Sequence, residues 1–155
     1  MPYIRINDFI RNYFETYSGV KLYLDSLREA ARRDGFASSP SGRRRVLTDL
    51  RSSNRVLRQA AERMAINFPV QSFAADIIKL AMVEIDRELN RRGAQGRMIM
   101  QVHDELVFEV PQAELQSLLS FAPKAMVEAY PLSVPLVVDC AVGPNWAELE
   151  RVASA

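Results

Sequence analysis

Residues 97–110, RMIMQVHDELVFEV, constrain the fold most, because two apolar runs typical of β-strands flank a short polar turn. The turn, His103-Asp104-Glu105, has three ionisable side chains and lacks the Gly, Asn and Pro residues that usually form tight turns. The apolar flanks predict an antiparallel β-hairpin embedded in a core, which would hold the two carboxylates rigidly. A turn of poor turn formers between such strands indicates a functional site.

The paired acids of this turn predict a site for a hard divalent cation. Mg²⁺ prefers oxygen ligands and typically takes one or two carboxylates together with substrate phosphates, so Asp104 and Glu105 are candidate ligands. Adjacent strand residues point to opposite faces, so the two carboxylates need not bind the same ion. Asp104 is the expected primary ligand. As an alternative, the two acids are simply solvated, which is the more common state of acids at a loop tip. If they do bind metal, a two-metal site needs further acids, and the sequence has no second acidic cluster in a strand-like setting. The pattern therefore predicts half of a two-metal site.

Length and composition fit one globular domain, since the chain has 155 residues, of which 48% are hydrophobic. A single cysteine, Cys140, and a single histidine exclude an intramolecular disulfide, a multi-cysteine zinc site and a two-histidine metal centre. No uninterrupted apolar run approaches the roughly 20 residues that span a bilayer, and the N-terminus has no signal-peptide pattern. We therefore expect a soluble intracellular protein with no membrane partner.

The net charge of +1 conceals a basic segment from Arg28 to Arg63, which has ten arginines and four acids. The chain from Gln101 onward is acidic. Guanidinium groups match phosphate oxygens bidentately, so the basic segment is a candidate phosphate-binding surface. A solvated helix face with ordinary ion pairs explains the same arginines equally well.

Hydrophobic periodicity predicts an α+β fold in which an antiparallel sheet, containing the 97–110 hairpin, packs on several helices. Four parts are expected in order: a helical pair in residues 1–35, a small Arg-rich hairpin in 36–50, helices in 51–93, and the acidic hairpin with a helix and a final strand in 94–155. Ser52 or Ser53 should cap a helix that Pro69 ends or kinks, and a second helix should begin near Pro69. The final strand is predicted over residues 136–142.

Arg63, Asn67 and Gln71 lie four residues apart, which would place a guanidinium and two amides along one helix face. Such donors suit the minor-groove acceptors that every base pair offers. Alternatively, Asn67 caps a kink at Pro69 and Gln71 is an exposed first-turn residue. The spacing alone favours this second interpretation.

Several ordered segments together resemble family A DNA polymerases, the bacterial DNA polymerase I family. RMIMQVHDELVFEV resembles the third conserved motif of the palm, and RQAAERMAINFPVQSFAADIIK, residues 58–79, resembles the helices that precede it. FIRNYFETYSGVKLYLD and SGRRR resemble the segments before those. The resemblance covers residues 9–146 in order, and several ordered motifs are more specific than any one alone.

This resemblance implies a palm-type antiparallel sheet and template-directed nucleotidyl transfer to a primer 3′-hydroxyl by two Mg²⁺ ions, in DNA replication and repair. Asp104 would be the catalytic aspartate that binds both ions, Glu105 its acidic neighbour, and His103 a catalytic-site residue near the primer terminus. The implied partners are primer-template DNA, a dNTP and the remainder of the polymerase. The implied location is the bacterial cytoplasm, in association with the nucleoid.

The resemblance also implies which residues contact DNA. Arg63, Asn67 and Gln71 match primer-template contacts near the minor groove, so the resemblance favours a DNA-binding role for those three over a cap at Pro69. Arg43, Arg44 and Arg45 match a segment expected to contact the DNA backbone.

The sequence departs from the family pattern in three respects. Ser72-Phe73 stands where Gly-Thr is usual, Thr48 stands where proline is common, and nothing before Phe9 resembles the other metal-binding aspartate or the nucleotide-binding helix. We therefore expect a C-terminal part of a polymerase that is inactive alone and self-associates through an exposed sheet edge. The alternatives are a non-catalytic DNA-binding module and a single-metal phosphohydrolase that uses His103 and Asp104.

Overall fold

The computed structural model describes residues 6–152, which form four α-helices, two short 3₁₀ helices and three antiparallel strand pairs. This arrangement confirms the predicted α+β class. Each strand pair is a separate two-stranded sheet within the described residues. The chain divides into two compact units, one up to Phe73 and the other from Ala74.

The first unit begins with the expected pair of helices, α1 (Ile6–Thr16) and α2 (Ser18–Asp34). Gly35 ends α2 in the left-handed conformation, with φ of 79°, and its N–H donates to the Ala31 carbonyl at 2.9 Å. This is the C-cap geometry that glycine adopts without a steric penalty. Residues 1–5 of the predicted helical pair lie outside the described residues.

The Arg-rich hairpin follows as predicted, with β1 (Phe36–Ser38) paired to β2 (Arg44–Val46). Its turn is Ser39-Pro40-Ser41-Gly42. The Gly42 N–H donates to the Ser39 carbonyl at 2.9 Å, and Gly42 has φ of 85°. The buried Ser39 hydroxyl accepts the backbone N–H of Arg43 at 3.1 Å. These hydrogen bonds fix the backbone position at which the arginines of β2 follow the turn.

Small residues dominate the core of the first unit, which lets its elements approach closely. The core consists of buried residues from α2, the Arg-rich hairpin and the helix that follows: Ala31, Ala37, Leu47, Leu50, Ala61 and Ala65. A 3₁₀ helix, Thr48–Arg51, places Leu50 in this core. Met64 and Phe68 pack against the cluster from the same helix as Ala61 and Ala65.

One long helix, α3 (Arg55–Arg92), runs through Pro69, so the prediction that a new helix begins there was wrong. Proline removes a single N–H from the helical ladder, and tertiary packing can support that loss. Pro69 is almost fully buried. The cap was also misplaced, because Asn54 accepts the Val56 N–H through its side chain at 2.9 Å.

Among residues 6–152, α3 is the one helix whose length and composition would allow it to cross a membrane, with a mean hydropathy of 1.2 over 18 residues. This window is not an uninterrupted apolar run, because it includes charged residues. Length and composition alone are weak evidence for a membrane span.

The second unit contains the acidic hairpin, formed by β3 (Arg97–Val102) and β4 (Glu105–Glu109). A 3₁₀ turn, Gln112–Glu114, leads into α4 (Leu115–Val127). The hairpin and the two helices meet in one apolar cluster, whose buried members are Ile85, Leu89, Leu118 and Ala122 and whose half-buried members include Met98, Leu106, Phe108 and Val110.

The hairpin is less deeply embedded than its apolar sequence predicted. The strand register shifts between Met98 and Met100, so Ile99 is the extra residue of a β-bulge. Ile99 is 57% exposed and Met100 is 37% exposed. Within the described chain, one face of the hairpin packs on helices and the other carries apolar side chains open to solvent.

The predicted strand over residues 136–142 was too long, and a further strand was missed. The final sheet pairs β5 (Cys140–Val142) with β6 (Glu150–Val152). Gly143 permits the connecting loop to fold back, because a Cβ atom there would lie 1.8 Å from the Glu148 carbonyl oxygen. The three-residue β6 is too short to produce a periodic signal in the sequence.

Candidate functional site

The tip of the acidic hairpin is a two-residue loop. Val102 pairs with Glu105, which leaves His103 and Asp104 as the central residues and places Glu105 in β4. His103 has φ of 53° and is the one non-glycine residue with positive φ among residues 6–152. Two-residue hairpins of type II′ need positive φ at this first position and normally use glycine there. The sequence thus correctly marked this turn as unusual, and the structure locates the strain at His103.

The three ionisable side chains of the tip are all exposed. The side chains of Asp104 and Glu105 make no hydrogen bond or ion pair with any other described residue, so their carboxylate oxygens are open to a ligand. No cluster of three or more His, Cys, Asp or Glu residues able to hold a metal occurs in residues 6–152. The carboxylates therefore have the oxygen chemistry that Mg²⁺ prefers but do not complete a metal site among the described residues.

Glu114 anchors the base of the hairpin. Its carboxylate accepts the backbone N–H of Gln95 at 3.1 Å and that of Gly96 at 3.0 Å, just before β3 begins. Gly96 is constrained as well, because an added Cβ atom would lie 3.2 Å from Val110 Cγ1. The segment before β3 is thereby fixed to the segment after β4.

A group of side chains around Arg92 joins the end of α3 to α4. The Arg92 guanidinium lies 4.4 Å from the ring centre of Phe121 and donates to the Ser117 hydroxyl at 2.9 Å. It also pairs with Glu88 at 2.6 Å. Hydrogen bonds from Arg91 and then Arg92 lower the pKa of Glu88 to about 2. These contacts support the helices on which the hairpin packs.

The first unit contains a groove of about 410 Å³, which we call the basic groove. It is lined by Arg45, Ala60, Arg63, Met64, Asn67, Phe68 and Gln71. Four predicted DNA-binding residues therefore meet in one concavity. Met64 and Phe68 give it an apolar floor, a feature that the sequence did not reveal because both residues also fit an ordinary core stripe.

The alternative roles considered for Asn67 and Gln71 do not agree with the helix. α3 is continuous through Pro69, so Asn67 and Gln71 are both interior helix residues and Gln71 does not lie in the first turn of a new helix. The side chains of Arg63, Asn67 and Gln71 make no hydrogen bond or ion pair within the described residues. All three are exposed and available to a ligand.

The arginines of the basic segment differ in whether they have an acidic partner. Arg32 and Glu62 form an ion pair at 2.5 Å, and the hydrogen bond from Arg32 lowers the pKa of Glu62. Arg28 and Arg33 also pair with nearby acids. Arg45 and Arg63 have no acidic partner among the described residues.

The three arginines of the hairpin have separate positions. Arg44 lies over the Phe36 ring, 4.7 Å from its centre. Arg43 begins the return from the turn, where its backbone is bonded to Ser39. Only Arg45 of the three lines the basic groove. His103, Asp104 and Glu105 lie in the other unit, at the acidic hairpin tip.

Two of the sequence departures have modest local effects. The Ser72 hydroxyl donates to the Pro69 carbonyl at 3.5 Å, which is long for such a bond. Phe73 is half-buried. Thr48 begins the 3₁₀ helix after β2. None of these residues lines the basic groove.

The sequence profile of DNA polymerase family A matches residues 5–148. The chain therefore belongs to DNA polymerase family A, whose members are nucleotidyltransferases.

The individual relatives bear the name DNA polymerase I. The chain is 46% identical to DNA polymerase I of Mycobacterium bovis over 90% of its length, and 43% identical to the thermostable DNA polymerase I of Thermus thermophilus over 94%. It is also similar to the solved POL domain of Pol1 from M. smegmatis in complex with DNA primer-template and dNTP, with 47% identity and a TM-score of 0.80 over 82% of this chain.

The match covers only part of these proteins. The chain spans 16% and 17% of the two DNA polymerase I relatives, and 22% of the M. smegmatis structure.

Proposed function

We propose that this chain is the C-terminal part of a DNA-directed DNA polymerase and that its basic groove binds the primer-template duplex. The observation that carries the proposal is the convergence of Arg45, Arg63, Asn67 and Gln71 in one groove. The M. smegmatis relative, solved with primer-template DNA and dNTP, supports the same class of ligand.

The chemistry of the groove suits a duplex read without strong sequence preference. Asn67 and Gln71 provide amide donors for the acceptors that all base pairs present in the minor groove. Arg45 and Arg63 provide unpaired guanidinium groups for the phosphate oxygens or the same acceptors. Arg43 and Arg44 would add contacts to the DNA backbone outside the groove.

The acidic hairpin would provide carboxylates to a two-metal site. Asp104 would be the principal Mg²⁺ ligand and Glu105 an auxiliary one, while His103 would contact the primer terminus. The metals would stabilise charge at the attacking and leaving oxygens during nucleotidyl transfer. Because the described residues provide only this carboxylate pair, we propose that the chain does not extend a primer alone and takes dNTP only with the remainder of the polymerase.

A binding measurement tests the groove directly. Fluorescence anisotropy of the 155-residue chain with a labelled primer-template duplex should show salt-dependent binding, because phosphate contacts release counterions. Arg63→Ala and Gln71→Ala should weaken binding by about 5- to 100-fold, as loss of one good contact to a base edge predicts.

Arg33→Ala is the matched control, since Arg33 is exposed but paired with Asp34. Equal losses for Arg63→Ala and Arg33→Ala, or no binding at low salt, would contradict the proposal.

A non-catalytic DNA-binding module is the second candidate, favoured by the incomplete metal site of the described residues. The remainder of a family A polymerase, supplied as a separate polypeptide, distinguishes the two. Restored primer extension that Asp104→Ala abolishes supports the polymerase, whereas binding without restored extension supports the module.

Three further assignments accompany this proposal. The protein would act in DNA replication and repair in the bacterial cytoplasm, in association with the nucleoid. It would bind the remainder of the polymerase through apolar surface that the described chain leaves open. The open edges of its two-stranded sheets would also permit self-association.

A further inference from the structure

We propose that Gln101 is a positioning residue that holds the acidic hairpin tip in its strained conformation and thereby sets the place of the Asp104 carboxylate. The Gln101 side-chain amide, through Nε2, donates a hydrogen bond to the backbone carbonyl of His103. This inference rests on the proposed metal-binding role of Asp104.

The carbonyl that Gln101 engages belongs to the peptide unit joining His103 to Asp104. A peptide unit is planar, so a bond to its oxygen restricts the rotation of the whole plane. The position of the Asp104 Cα atom, and hence of its carboxylate, depends on that rotation. Gln101 is therefore placed to act on Asp104 without contacting a metal or substrate.

The turn needs such a contact because of the residue at its first position. His103 has φ of 53°, a region in which a side chain meets steric strain that glycine avoids. Strain of this kind persists only where the surrounding structure determines the conformation. His103 is exposed, so side-chain burial does not supply that determination. Within the described chain, the Gln101 side chain provides a hydrogen bond to the hairpin loop that can hold this conformation.

The strand register explains why Gln101 can reach. Gln101 lies in β3 opposite Leu106, one pair back from the Val102–Glu105 pair that closes the loop. Its side chain thus extends past the Val102–Glu105 pair to the His103 carbonyl. Gln101 is exposed and belongs to neither apolar cluster, so its hydrogen bond to His103 is the contact through which it can act on the turn.

NMR spectroscopy of the full chain tests the inference without relying on catalysis. In Gln101→Leu, which removes the donor, the ¹³Cα shift of His103 should move toward that of a residue with negative φ.

Two controls separate positioning from general support of the strands. Gln101→Lys, which retains a donor, should restore the wild-type shift, and Gln116→Leu on the exposed face of α4 should leave the tip unchanged. In a His103→Gly background, Gln101→Leu should leave the turn conformation in place, because glycine adopts positive φ freely. Two results for Gln101→Leu would overturn the positioning role. One is faster amide exchange along β3 and β4 with an unchanged ¹³Cα shift of His103, and the other is a set of loop resonances identical to those of the wild type.

Paramagnetic broadening by Mn²⁺ separates this inference from the proposed function. Broadening at the Asp104 amide of the wild-type chain tests whether the acidic tip attracts a divalent cation. If Gln101→Leu alters the turn but Mn²⁺ broadens no tip resonance, Gln101 holds the loop and the metal role is wrong. Broadening of the same tip resonances in wild type and Gln101→Leu, with an unaltered turn, would overturn the inference alone.

Discussion

The Glu114 carboxylate lies 3.0 Å from the Gly96 backbone nitrogen, a contact that joins the two ends of the acidic hairpin across 18 residues of sequence. The same carboxylate accepts the Gln95 N–H. Charge-assisted bonds to backbone amides are stronger than bonds between neutral groups, and here one side chain satisfies two donors. The hairpin is consequently held at its base by a residue that the sequence did not single out.

Glu114→Ala should lower the free energy of unfolding by about 1–3 kcal/mol, because two backbone N–H groups lose a charged acceptor. Urea denaturation followed by circular dichroism measures this loss. Glu128→Ala is the matched control, since the exposed Glu128 approaches Lys124 only at 3.9 Å, and it should change stability by less than about 0.5 kcal/mol. Similar losses in the two variants would show that the Glu114 contacts do not stabilise the fold.

The stability of the chain should depend on pH through Glu88, whose pKa is lowered to about 2 by hydrogen bonds from Arg91 and then Arg92. A carboxylate with a lowered folded-state pKa stabilises the fold above its unfolded pKa, near 4.5, and this stabilisation disappears as the pH falls toward 2. The melting temperature of the wild-type chain should therefore fall as the pH decreases across that interval, and the melting temperature of Glu88→Gln should fall less. Parallel pH profiles for the two proteins would contradict the assignment.

The sequence predicted the elements best where local chemistry decides the structure. The Ser39-Pro40-Ser41-Gly42 turn and the Gly35 cap both follow from the backbone preferences of Pro and Gly. The two-helix prediction at Pro69 was wrong because packing around a buried proline, invisible in one sequence, outweighs its local preference. The pairing of β5 with β6 likewise depends on a close approach at Gly143 rather than on periodicity.

The candidate site was predictable in part for a similar reason. The spacing of Arg63, Asn67 and Gln71 allowed one shared helix face, but the sequence alone favoured a cap and a new helix at Pro69. The continuous α3 places the three residues on the same helix. Arg45 belongs to a different element, and only the tertiary structure shows that it lines the same groove. The bond from Gln101 to His103 could not be expected either, since it depends on the strand register and on the positive φ of one residue.

Ile85 is the largest side chain that is fully buried in the second unit, with 0% exposure. Ile85→Ala should lower the free energy of unfolding by about 2–5 kcal/mol, because it removes buried methyl groups and leaves a cavity among Leu89, Leu118 and Ala122. Urea denaturation gives the loss directly. Val83→Ala, at a position on the same helix that is 47% exposed, should cost less than about 1 kcal/mol. A comparable loss at both positions would show that this cluster is not the core of the unit.

Arg45 and Arg44 are neighbours in β2 that should differ in their contribution to DNA binding. Arg45 lines the basic groove and has no acidic partner, whereas Arg44 lies over the Phe36 ring. Each phosphate contact contributes about 0.9 to the slope of log affinity against log salt concentration. Arg45→Ala should therefore reduce the slope magnitude for primer-template duplex by roughly one unit if it contacts a phosphate.

Anisotropy titrations over a range of salt concentrations measure that slope. Arg44→Ala should reduce it by less, because its guanidinium is directed to the ring of Phe36 in the free chain. Thermal unfolding should accompany both titrations, since loss of the contact with Phe36 lowers stability by about 0.5–1 kcal/mol without involving DNA. An unchanged slope for Arg45→Ala, with normal folding, would exclude Arg45 from the phosphate contacts and leave the groove to the residues of α3.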